Sequence, residues 1–480
     1  MTQSIALPLW VFGLLLGVAL LAALDWLLLP GLRWYVGRKV RGVIDEISVR
    51  LNIELPQFKL TRRQALIDRL ESDPKVLEAV AEHAARQQES TARSMQRVHV
   101  YAREIVPAFN AYVYFRVGYW LAKTFARSVY RVRLGYADSQ ALSGLDPKST
   151  VVFVMNHRSN MDYILVSFLA AEKVALSYAV GEWARVWPLQ GLIRAMGAYF
   201  VRRNSGDPLY RMVLQRYVQM ATEGGVPQAM YPEGGLTTDG LLRTPKLGLL
   251  DYMLKTFDPA AERDLVFIPV GINYDRVIED RSLLSKGDAT APRRGLGAKL
   301  RIAAGYVGRQ ALLRVRGRSF RLGYACVNFG PPLSMRDWVR REAVDLRRLD
   351  DAARRAPVAR LGSELMARIG QVVPVLPVPL VAAVLLREPA RALSALELKA
   401  AVNTLMNDIE ATGAHVYVPR GDRDYAVDVG LRMLVLRHLV LEADGLYRAH
   451  DGELPLLRYY AHSIAHLCPP VAGDGVAPAR

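Results

Sequence analysis

Residues 156–162 read Asn-His-Arg-Ser-Asn-Met-Asp and place an imidazole five positions before a carboxylate. The block follows an apolar run, Val151 to Met155, and precedes a helical pattern. On a continuous helix His157 and Asp162 would lie roughly 140° apart around the axis, so a turn has to bring them together. In such a turn Asp162 accepts a hydrogen bond from one ring nitrogen and leaves the other as a general base. The alternative is purely structural, because Ser159 and Asp162 also have the spacing of a helix cap.

Three further blocks also follow or form strand-like runs. The stretch 231–235, Tyr-Pro-Glu-Gly-Gly, sets a carboxylate beside two glycines whose backbone a substrate can approach closely, although a simple turn explains it equally well. The stretch 197–203 ends in Arg202 and Arg203, and Arg binds phosphate bidentately. Adjacent strand side chains point oppositely, so at most one of the two faces a ligand unless the strand has ended. The apolar run 267–270 suits the wall of an acyl site or an ordinary core.

The elements that would position these blocks form an alternating pattern. Between about 150 and 330, short β-rich runs alternate with helical segments, which predicts an α/β fold with a mostly parallel sheet flanked by helices. The predicted strands are 151–155, 175–180, 198–201, 228–231, 265–272 and 324–329, with helices beginning near Met161, Asp207 and Pro245. Ligands of open α/β sheets bind outside the carboxyl ends of the strands, where the polar blocks stand.

Together and in this order, the four blocks resemble those of the membrane glycerolipid acyltransferases, most closely the bacterial and mitochondrial glycerol-3-phosphate acyltransferase branch. NHRSNMDY is similar to that family's catalytic HxxxxD block, GAYFVRR to its GxxFxRR block, YPEGG to its Glu-Gly block and FIPV to its fourth block. The likeness extends from about Tyr101 to Leu467 and includes VNFGPPLS and LLRYYAHSIAHL.

The resemblance implies a catalytic pair and a set of substrate-binding residues. His157 would remove the proton from an acceptor hydroxyl while Asp162 orients the ring, and the alkoxide would attack a thioester carbonyl. Arg202 and Arg203 would lie at the acceptor phosphate. The substrate-binding residues expected are Arg158, Arg202, Arg203, Glu233, Gly234, Gly235 and Lys246. We expect no metal and no cofactor, with acyl-CoA or acyl carrier protein as the acyl donor.

One departure from the family pattern concerns the acceptor. Relatives that use glycerol 3-phosphate commonly carry Arg-Ser or Ser-Arg after the Glu-Gly-Gly run, whereas residues 236–240 here read Leu-Thr-Thr-Asp-Gly. Arg243 or Lys246 is a candidate replacement for the missing cation. We expect acyl transfer to the sn-1 hydroxyl of glycerol 3-phosphate, giving lysophosphatidate. A lysophosphatidate or other lysophospholipid acyltransferase is the first alternative, and a non-enzymatic membrane lipid-binding protein is the second.

Composition supports an anionic partner and excludes several chemistries. The 480 residues include 63 Lys and Arg against 46 Asp and Glu, a formal charge of +17, and 51% are hydrophobic. Such a charge favours lipid headgroups or phosphorylated ligands, and no nucleic-acid-binding module is recognisable. Two cysteines, Cys326 and Cys468, cannot build a disulfide framework or a thiolate zinc site. His462 and His466 have helical spacing but lack further ligands, which favours a structural role.

The expected membrane attachment lies near the amino terminus. Ile5 to Leu24 is apolar over about the length that crosses a bilayer, and basic and aromatic residues follow it. This predicts an uncleaved anchor that spans or lies in the membrane, with the catalytic part on the cytoplasmic side of a bacterial inner membrane. Ala108 to Leu134 interleaves aromatic and basic residues without an acid, which suits an interfacial helix or an ordinary helix with a basic face. The interval Lys286 to Arg321 is also strongly basic.

We therefore predict five segments along the chain. The Pro-containing stretch Val372 to Leu386 is expected to be buried or interfacial rather than membrane-spanning. The segments are a membrane anchor and basic flank at 1–40, a helical interfacial region at 41–140, an α/β catalytic domain at 141–335, a mainly helical domain at 336–468 and a disordered tail at 469–480.

Overall fold

The computed structural model describes residues 56–111, 113–170, 176–181, 189–202, 205–287 and 321–469. The predicted anchor, Arg203, residues 288–320 of the basic interval and residues 470–480 lie outside the described residues. Within the described ranges, no helix combines the length and apolar character needed to cross a membrane.

The centre of the described structure is a sheet of eight strands. Seven of them lie in the order β1-β7-β6-β2-β5-β3-β4, and β8 pairs with β6. Neighbours from β6 to β4 and the pair β1–β7 are parallel, while β6 runs antiparallel to β7 and β8. The strands are β1 Arg131–Ala137, β2 Thr150–Met155, β3 Ser177–Val180, β4 Ala198–Phe200, β5 Gln228–Met230, β6 Leu265–Tyr274, β7 Tyr324–Phe329 and β8 Leu333–Ser334. The predicted α/β fold with a mostly parallel sheet is confirmed.

Helices precede the sheet and connect its strands. A π-helical turn, Val113–Gly118, leads into the fifth of them. These helices are α1 Gln57–Leu60, α2 Arg63–Glu71, α3 Pro74–Gln87, α4 Thr91–Ile105, α5 Tyr119–Val129, α6 Ser139–Ser143, α7 Met161–Ala170, α8 Leu189–Ala195, α9 Pro208–Glu223, α10 Gly248–Leu254 and α11 Asp280–Gly287. Helix α9 begins where predicted because Asp207 accepts hydrogen bonds from two amides of the first turn and Pro208 occupies its first position.

The basic aromatic stretch 108–134 is not helical to its end, which corrects the prediction. Helix α5 ends at Val129, and residues from Arg131 onward form β1, which pairs with β7. Arg131 and Arg133 are exposed while Val132 between them is buried, so the period at this point is that of a strand. The sheet therefore begins before residue 141, where the catalytic segment was predicted to start.

The part after the sheet is mainly helical, with one small antiparallel sheet. Its helices are α12 Met335–Arg341, α13 Asp351–Val372, α14 Pro377–Leu385, α15 Ala395–Ala411, α16 Arg423–Leu436 and α17 Leu454–His462. Its strands are β9 Leu393–Ser394, β10 Val440–Ala443 and β11 Leu446–Ala449. Helix α14 lies within the proline-containing stretch and is almost entirely buried, in agreement with the buried alternative of that prediction.

Residues from several predicted segments share one hydrophobic cluster. It includes Ile67 of α2, Val154 of β2, Phe267 of β6 and Leu365 of α13, each at most 1% exposed. Strands β2, β5 and β6 are buried along their whole lengths, as expected for parallel strands covered on both faces. The sheet edge that carries the polar blocks is therefore held by a packed interior.

Candidate active site

The first polar block begins with a side chain that extends the sheet. Asn156 follows β2, and its carboxamide donates to the carbonyl of Ile272 at 2.9 Å and accepts from the amide of Ile272 at 2.8 Å. These two bonds imitate a strand pair between the end of β2 and neighbouring β6. They fix the backbone at the position where the chain turns into the next residue, His157.

His157 and Asp162 are brought together by the turn between β2 and α7. The Nδ1 atom of His157 lies 2.9 Å from Oδ2 of Asp162. The imidazole is 14% exposed, whereas the carboxylate is completely buried. Because Nδ1 faces the carboxylate, Nε2 is the ring nitrogen left for a substrate hydroxyl. The two residues thus have the geometry of an oriented general base.

Asp162 also binds the backbone of the turn that precedes its helix, so the oriented-base and the structural arrangements coexist. Its Oδ2 accepts from the backbone amides of Arg158 at 2.7 Å and Ser159 at 3.0 Å. Its Oδ1 accepts from the hydroxyl of Tyr274, at the end of β6, at 2.6 Å. A carboxylate removed from water needs such donors, and three of them come from outside the imidazole. The turn is therefore rigid before any substrate arrives.

A second carboxylate holds the outer side of the turn. Glu279 accepts from the hydroxyl of Ser159 at 2.8 Å and from the side-chain amide of Asn160 at 2.9 Å. It also accepts from the backbone amide of Asn160 at 3.2 Å. Tyr274 and Glu279 were not among the predicted site residues. Nothing in the sequence marks Glu279, and Tyr274 carries only the weak signal of lying four positions after the fourth block.

The Glu-Gly block lies against the imidazole, because β5 is the parallel neighbour of β2. The rings of Tyr231 and His157 are stacked with centroids 3.9 Å apart. The amide of His157 donates to Oε1 of Glu233 at 3.0 Å. Burial raises the pKa of Glu233 to about 7, opposed by that amide and by the charges of Arg158 and Arg243. The second block thus supplies both a packing face and an ionisable group to the catalytic turn.

Gly234 is required where it stands, since its φ is +68° and a β-carbon there would lie 2.5 Å from Cδ of Lys246. The amide of Lys246 donates to the carbonyl of Pro232 at 2.7 Å, which brings the predicted cation back beside the Glu-Gly block. Gly235 follows and is half-buried. Arg243 donates to the hydroxyl of Thr238 at 2.6 Å. Arg243 therefore lies at the segment that departs from the family pattern, and Lys246 lies at the Glu-Gly block before it.

Arg158, the residue after the imidazole, is 2% exposed. Its Nη1 donates to the carbonyl of Gly240 at 2.8 Å, and its guanidinium lies 5.0 Å from the ring centroid of Tyr459. Within the described residues, its Nε and Nη2 have no hydrogen-bond partner. Its position links the catalytic turn to the 237–241 loop and to helix α17.

Arg202 lies apart from this cluster. It follows β4, three strands from β2, which corresponds to about 14 Å across the sheet. Its guanidinium makes two hydrogen bonds to Glu104, at 3.0 and 2.6 Å, and lies over the rings of Tyr101 and Tyr210. The pKa of Arg202 is raised, chiefly by the hydrogen bond to Glu104. A phosphate role for Arg202 stays a prediction, and Arg203 lies outside the described residues.

The two late histidines bind backbone atoms. Nδ1 of His462 lies 3.0 Å from the carbonyl oxygen of Asp239, and Nε2 of His466 lies 3.1 Å from that of Gly370. Across the part of the chain that the structure describes, no three potential metal-ligating side chains gather. His462 instead joins the end of α17 to the loop that follows the Glu-Gly block.

Comparisons with known proteins indicate an acyltransferase. Residues 137–273 match the acyltransferase family model, and residues 310–472 match that of the glycerol-3-phosphate acyltransferase C-terminal region. By these two matches the chain is similar to the glycerolipid acyltransferases, and in its later part to their glycerol-3-phosphate acyltransferase branch. The acyltransferase segment holds His157, Asp162 and Glu233, whereas Tyr459 and His462 lie in the C-terminal region.

Curated proteins similar to this chain are named glycerol-3-phosphate acyltransferase. That of Pseudomonas putida is 25% identical over 421 residues, which cover 85% of this chain and 49% of the relative. That of Aeromonas hydrophila is 27% identical over 420 residues, covering 85% and 50%. That of Xanthomonas axonopodis is 28% identical over 374 residues, covering 76% and 41%. The chain thus spans about half the length of the curated relatives it matches.

Among solved structures, the 1-acyl-sn-glycerophosphate acyltransferase of Thermotoga maritima covers 52% of this chain and 79% of its own. The identity is 16% and the TM-score is 0.28, which is too low to establish a shared fold.

Proposed function

We propose that the chain transfers a fatty acyl group from a thioester to the sn-1 hydroxyl of glycerol 3-phosphate, giving lysophosphatidate. The observation that carries the proposal is the 2.9 Å contact between His157 and a buried Asp162, at the end of a central strand within the acyltransferase match. The names of the curated relatives support the same acceptor. Acyl-CoA and acyl carrier protein both present the required thioester.

The proposed reaction needs one proton shuttle. Nε2 of His157 takes the proton from the acceptor hydroxyl while the hydroxyl oxygen forms a bond to the thioester carbonyl carbon. The carbon–sulfur bond then breaks, and the imidazolium returns the proton to the departing thiolate. The Asp162 carboxylate stabilises the transient imidazolium, because it lies against Nδ1. Hydrogen-bond donors near the tetrahedral oxyanion would contribute a large part of the rate.

The acceptor phosphate needs cations close to His157. Arg158 and Arg243 are near enough to Glu233 to lower its pKa by their charge, and Lys246 packs on Gly234. We propose these cations as the source of the positive potential that draws a phosphate monoester to this end of the sheet. Arg202 is assigned a smaller part, because its guanidinium already binds Glu104.

The acceptor assay distinguishes this function from its first alternative. Purified protein in lipid or detergent is offered labelled acyl-CoA or acyl carrier protein thioester, with glycerol 3-phosphate in one reaction and lysophosphatidate in another. We expect lysophosphatidate as the product of the first reaction. Product from lysophosphatidate alone would assign the chain to the next acylation, in line with the changed 236–240 segment. Absence of product from both, in folded protein, would favour the lipid-binding alternative.

We further propose that the protein works at a membrane, on the cytoplasmic side of a bacterial inner membrane. On and beside α5, Val117, Trp120 and Leu121 are 39%, 61% and 40% exposed, and basic residues lie beside them. Together with the charge of +17, this surface suits anionic lipid headgroups.

Sedimentation with anionic lipid vesicles tests the attachment. Deleting residues up to about Gly31 should reduce co-sedimentation, and Trp120→Ser in the deleted protein should reduce it further. Full sedimentation of the doubly altered protein would contradict both attachment sites.

A further inference from the structure

We propose that Arg158 and Tyr459 are positioning residues for His157, and that through them helix α17 holds the catalytic turn in its working conformation. The inference rests on the proposed function for its kinetic test, but the contacts that support it do not depend on which acceptor is used. It assigns a role at the active site to the C-terminal region matched at 310–472.

The first contact is between two buried side chains that are 301 residues apart in the chain. The guanidinium of Arg158 lies 5.0 Å from the centroid of the Tyr459 ring, and Tyr459 is fully buried. The Tyr459 hydroxyl also reaches the carbonyl of Arg158 at 3.5 Å. An aromatic face stabilises a desolvated cation, and the nearby Glu233 carboxylate adds to this. Tyr459 is thus the face on which the residue next to His157 rests.

The second contact is between backbones. Gly240 has a φ of +91°, and a β-carbon at that position would lie 2.1 Å from the carbonyl oxygen of Tyr459. This close approach is possible only for glycine. His462, one turn further along α17, binds the carbonyl of Asp239 at 3.0 Å. Helix α17 therefore holds the 237–241 loop as well as Arg158.

The 237–241 loop also contacts His157 and Arg158 directly. The amide of Thr237 donates to the carbonyl of His157 at 3.0 Å, and Arg158 donates to the carbonyl of Gly240 at 2.8 Å. The carbonyl of His157 and the side chain of the next residue, Arg158, are therefore fixed to a loop that α17 holds in turn. Asp162 sets the direction of the ring. The contacts of Arg158 and the 237–241 loop with helix α17 set the position of the turn that carries the ring.

A misplacement of about 1 Å at a reacting group costs about 100-fold in rate. We therefore expect Tyr459→Leu to lower kcat about 100-fold while KM for both substrates changes less than about threefold. Tyr459→Phe keeps the aromatic face and should restore most of the activity. Arg158→Met should lower kcat similarly and, because it also removes a positive charge from the phosphate site, raise KM for the acceptor. Combining it with Tyr459→Leu should lower kcat little further, because both changes remove the same contact.

The matched control is Leu457→Ala. Leu457 is also fully buried on α17, so its truncation destabilises the helix by cavity formation without removing the ring under Arg158. Below its unfolding temperature this variant should retain the wild-type kcat. An equal loss of kcat in Leu457→Ala and Tyr459→Leu would overturn the positioning role, as would a Tyr459→Leu kcat within about threefold of wild type.

A second readout separates this inference from the proposed function. Modification of His157 by diethyl pyrocarbonate, followed by mass spectrometry of its peptide, reports the surroundings of the ring without any acyl transfer. We expect faster modification in Tyr459→Leu than in wild type, Tyr459→Phe or Leu457→Ala. If the wild type acylates neither acceptor, the proposed function fails, but the modification rate still tests whether Tyr459 and Arg158 position His157. An unchanged modification rate in Tyr459→Leu would refute it.

Discussion

Asp162→Asn removes the charge at the centre of the site while keeping most of its shape. The carboxamide oxygen can replace Oδ2 and still accept from the amides of Arg158 and Ser159. The amide nitrogen then faces the Tyr274 hydroxyl, which can accept in place of donating. Fold and substrate binding should therefore survive. The loss falls on the imidazolium that forms at His157 when it takes the proton of the acceptor.

The size of this loss follows from the geometry. Nδ1 and Oδ2 are 2.9 Å apart, and unit charges centred about 4 Å apart interact by about 4 kcal/mol at an effective dielectric constant of about 20. At about 1.4 kcal/mol per factor of ten, kcat should fall about 1,000-fold.

The assay is acyl transfer to glycerol 3-phosphate under saturating donor, with thermal unfolding of the same preparation as the folding control. We expect a large loss of kcat, a nearly unchanged KM and a similar unfolding temperature. A kcat within tenfold of wild type would refute the assignment of Asp162 as the partner of an imidazolium. A variant that fails to fold would instead indicate that stabilising the turn before α7 is its main role.

Two further substitutions test the groups around this pair. Burial raises the pKa of Glu233 to about 7, so between about pH 4.5 and pH 7 the folded protein keeps a proton that the unfolded chain has released. The free energy of unfolding therefore depends on pH in the wild type, and Glu233→Gln should remove this dependence. Wild-type stability should accordingly fall by about 2–3 kcal/mol relative to the variant between pH 5 and pH 8, and parallel unfolding profiles of the two proteins would contradict this. Tyr274→Phe removes one donor from the buried Asp162 carboxylate and should cost about 1.5–3 kcal/mol of stability with a smaller loss of kcat than Asp162→Asn. An unfolding temperature equal to that of wild type would argue against that hydrogen bond.

Local patterns were sufficient to predict six of the eight strands of the sheet, β2 to β7, and the turn that joins His157 to Asp162. The run at 151–155 is continuous and apolar, and the run at 228–231 is apolar after Gln228, as expected of strands buried on both faces. The first is followed at once by Asn156 and the second, after one proline, by Glu233. Their parallel pairing then brings His157 and Glu233 together. Strand β1 was missed because alternating Arg and Val directly after an amphipathic helix resemble one more helical turn.

The side chains that hold the 156–162 turn in place could not be predicted, because they are distant in the chain and belong to no local sequence pattern. Tyr274, Glu279 and Tyr459 reach the turn from 112 to 301 positions away in the chain. Arg202 illustrates the opposite case. Its position after a strand predicts a phosphate contact, but in the structure its guanidinium binds Glu104 of helix α4. Which side chains meet across such separations depends on how the layers pack, and spacing along one strand or helix does not contain that information.

The central claim is that His157 is the base of an acyl transfer, and one comparison tests it directly. Acyl transfer to glycerol 3-phosphate is measured for wild type, His157→Ala and His99→Ala, the last being a histidine on α4 that pairs with Glu71. Loss of a general base costs about 100- to 10,000-fold. The account predicts such a loss for His157→Ala and wild-type activity for His99→Ala. Activity of folded His157→Ala near that of wild type would contradict it.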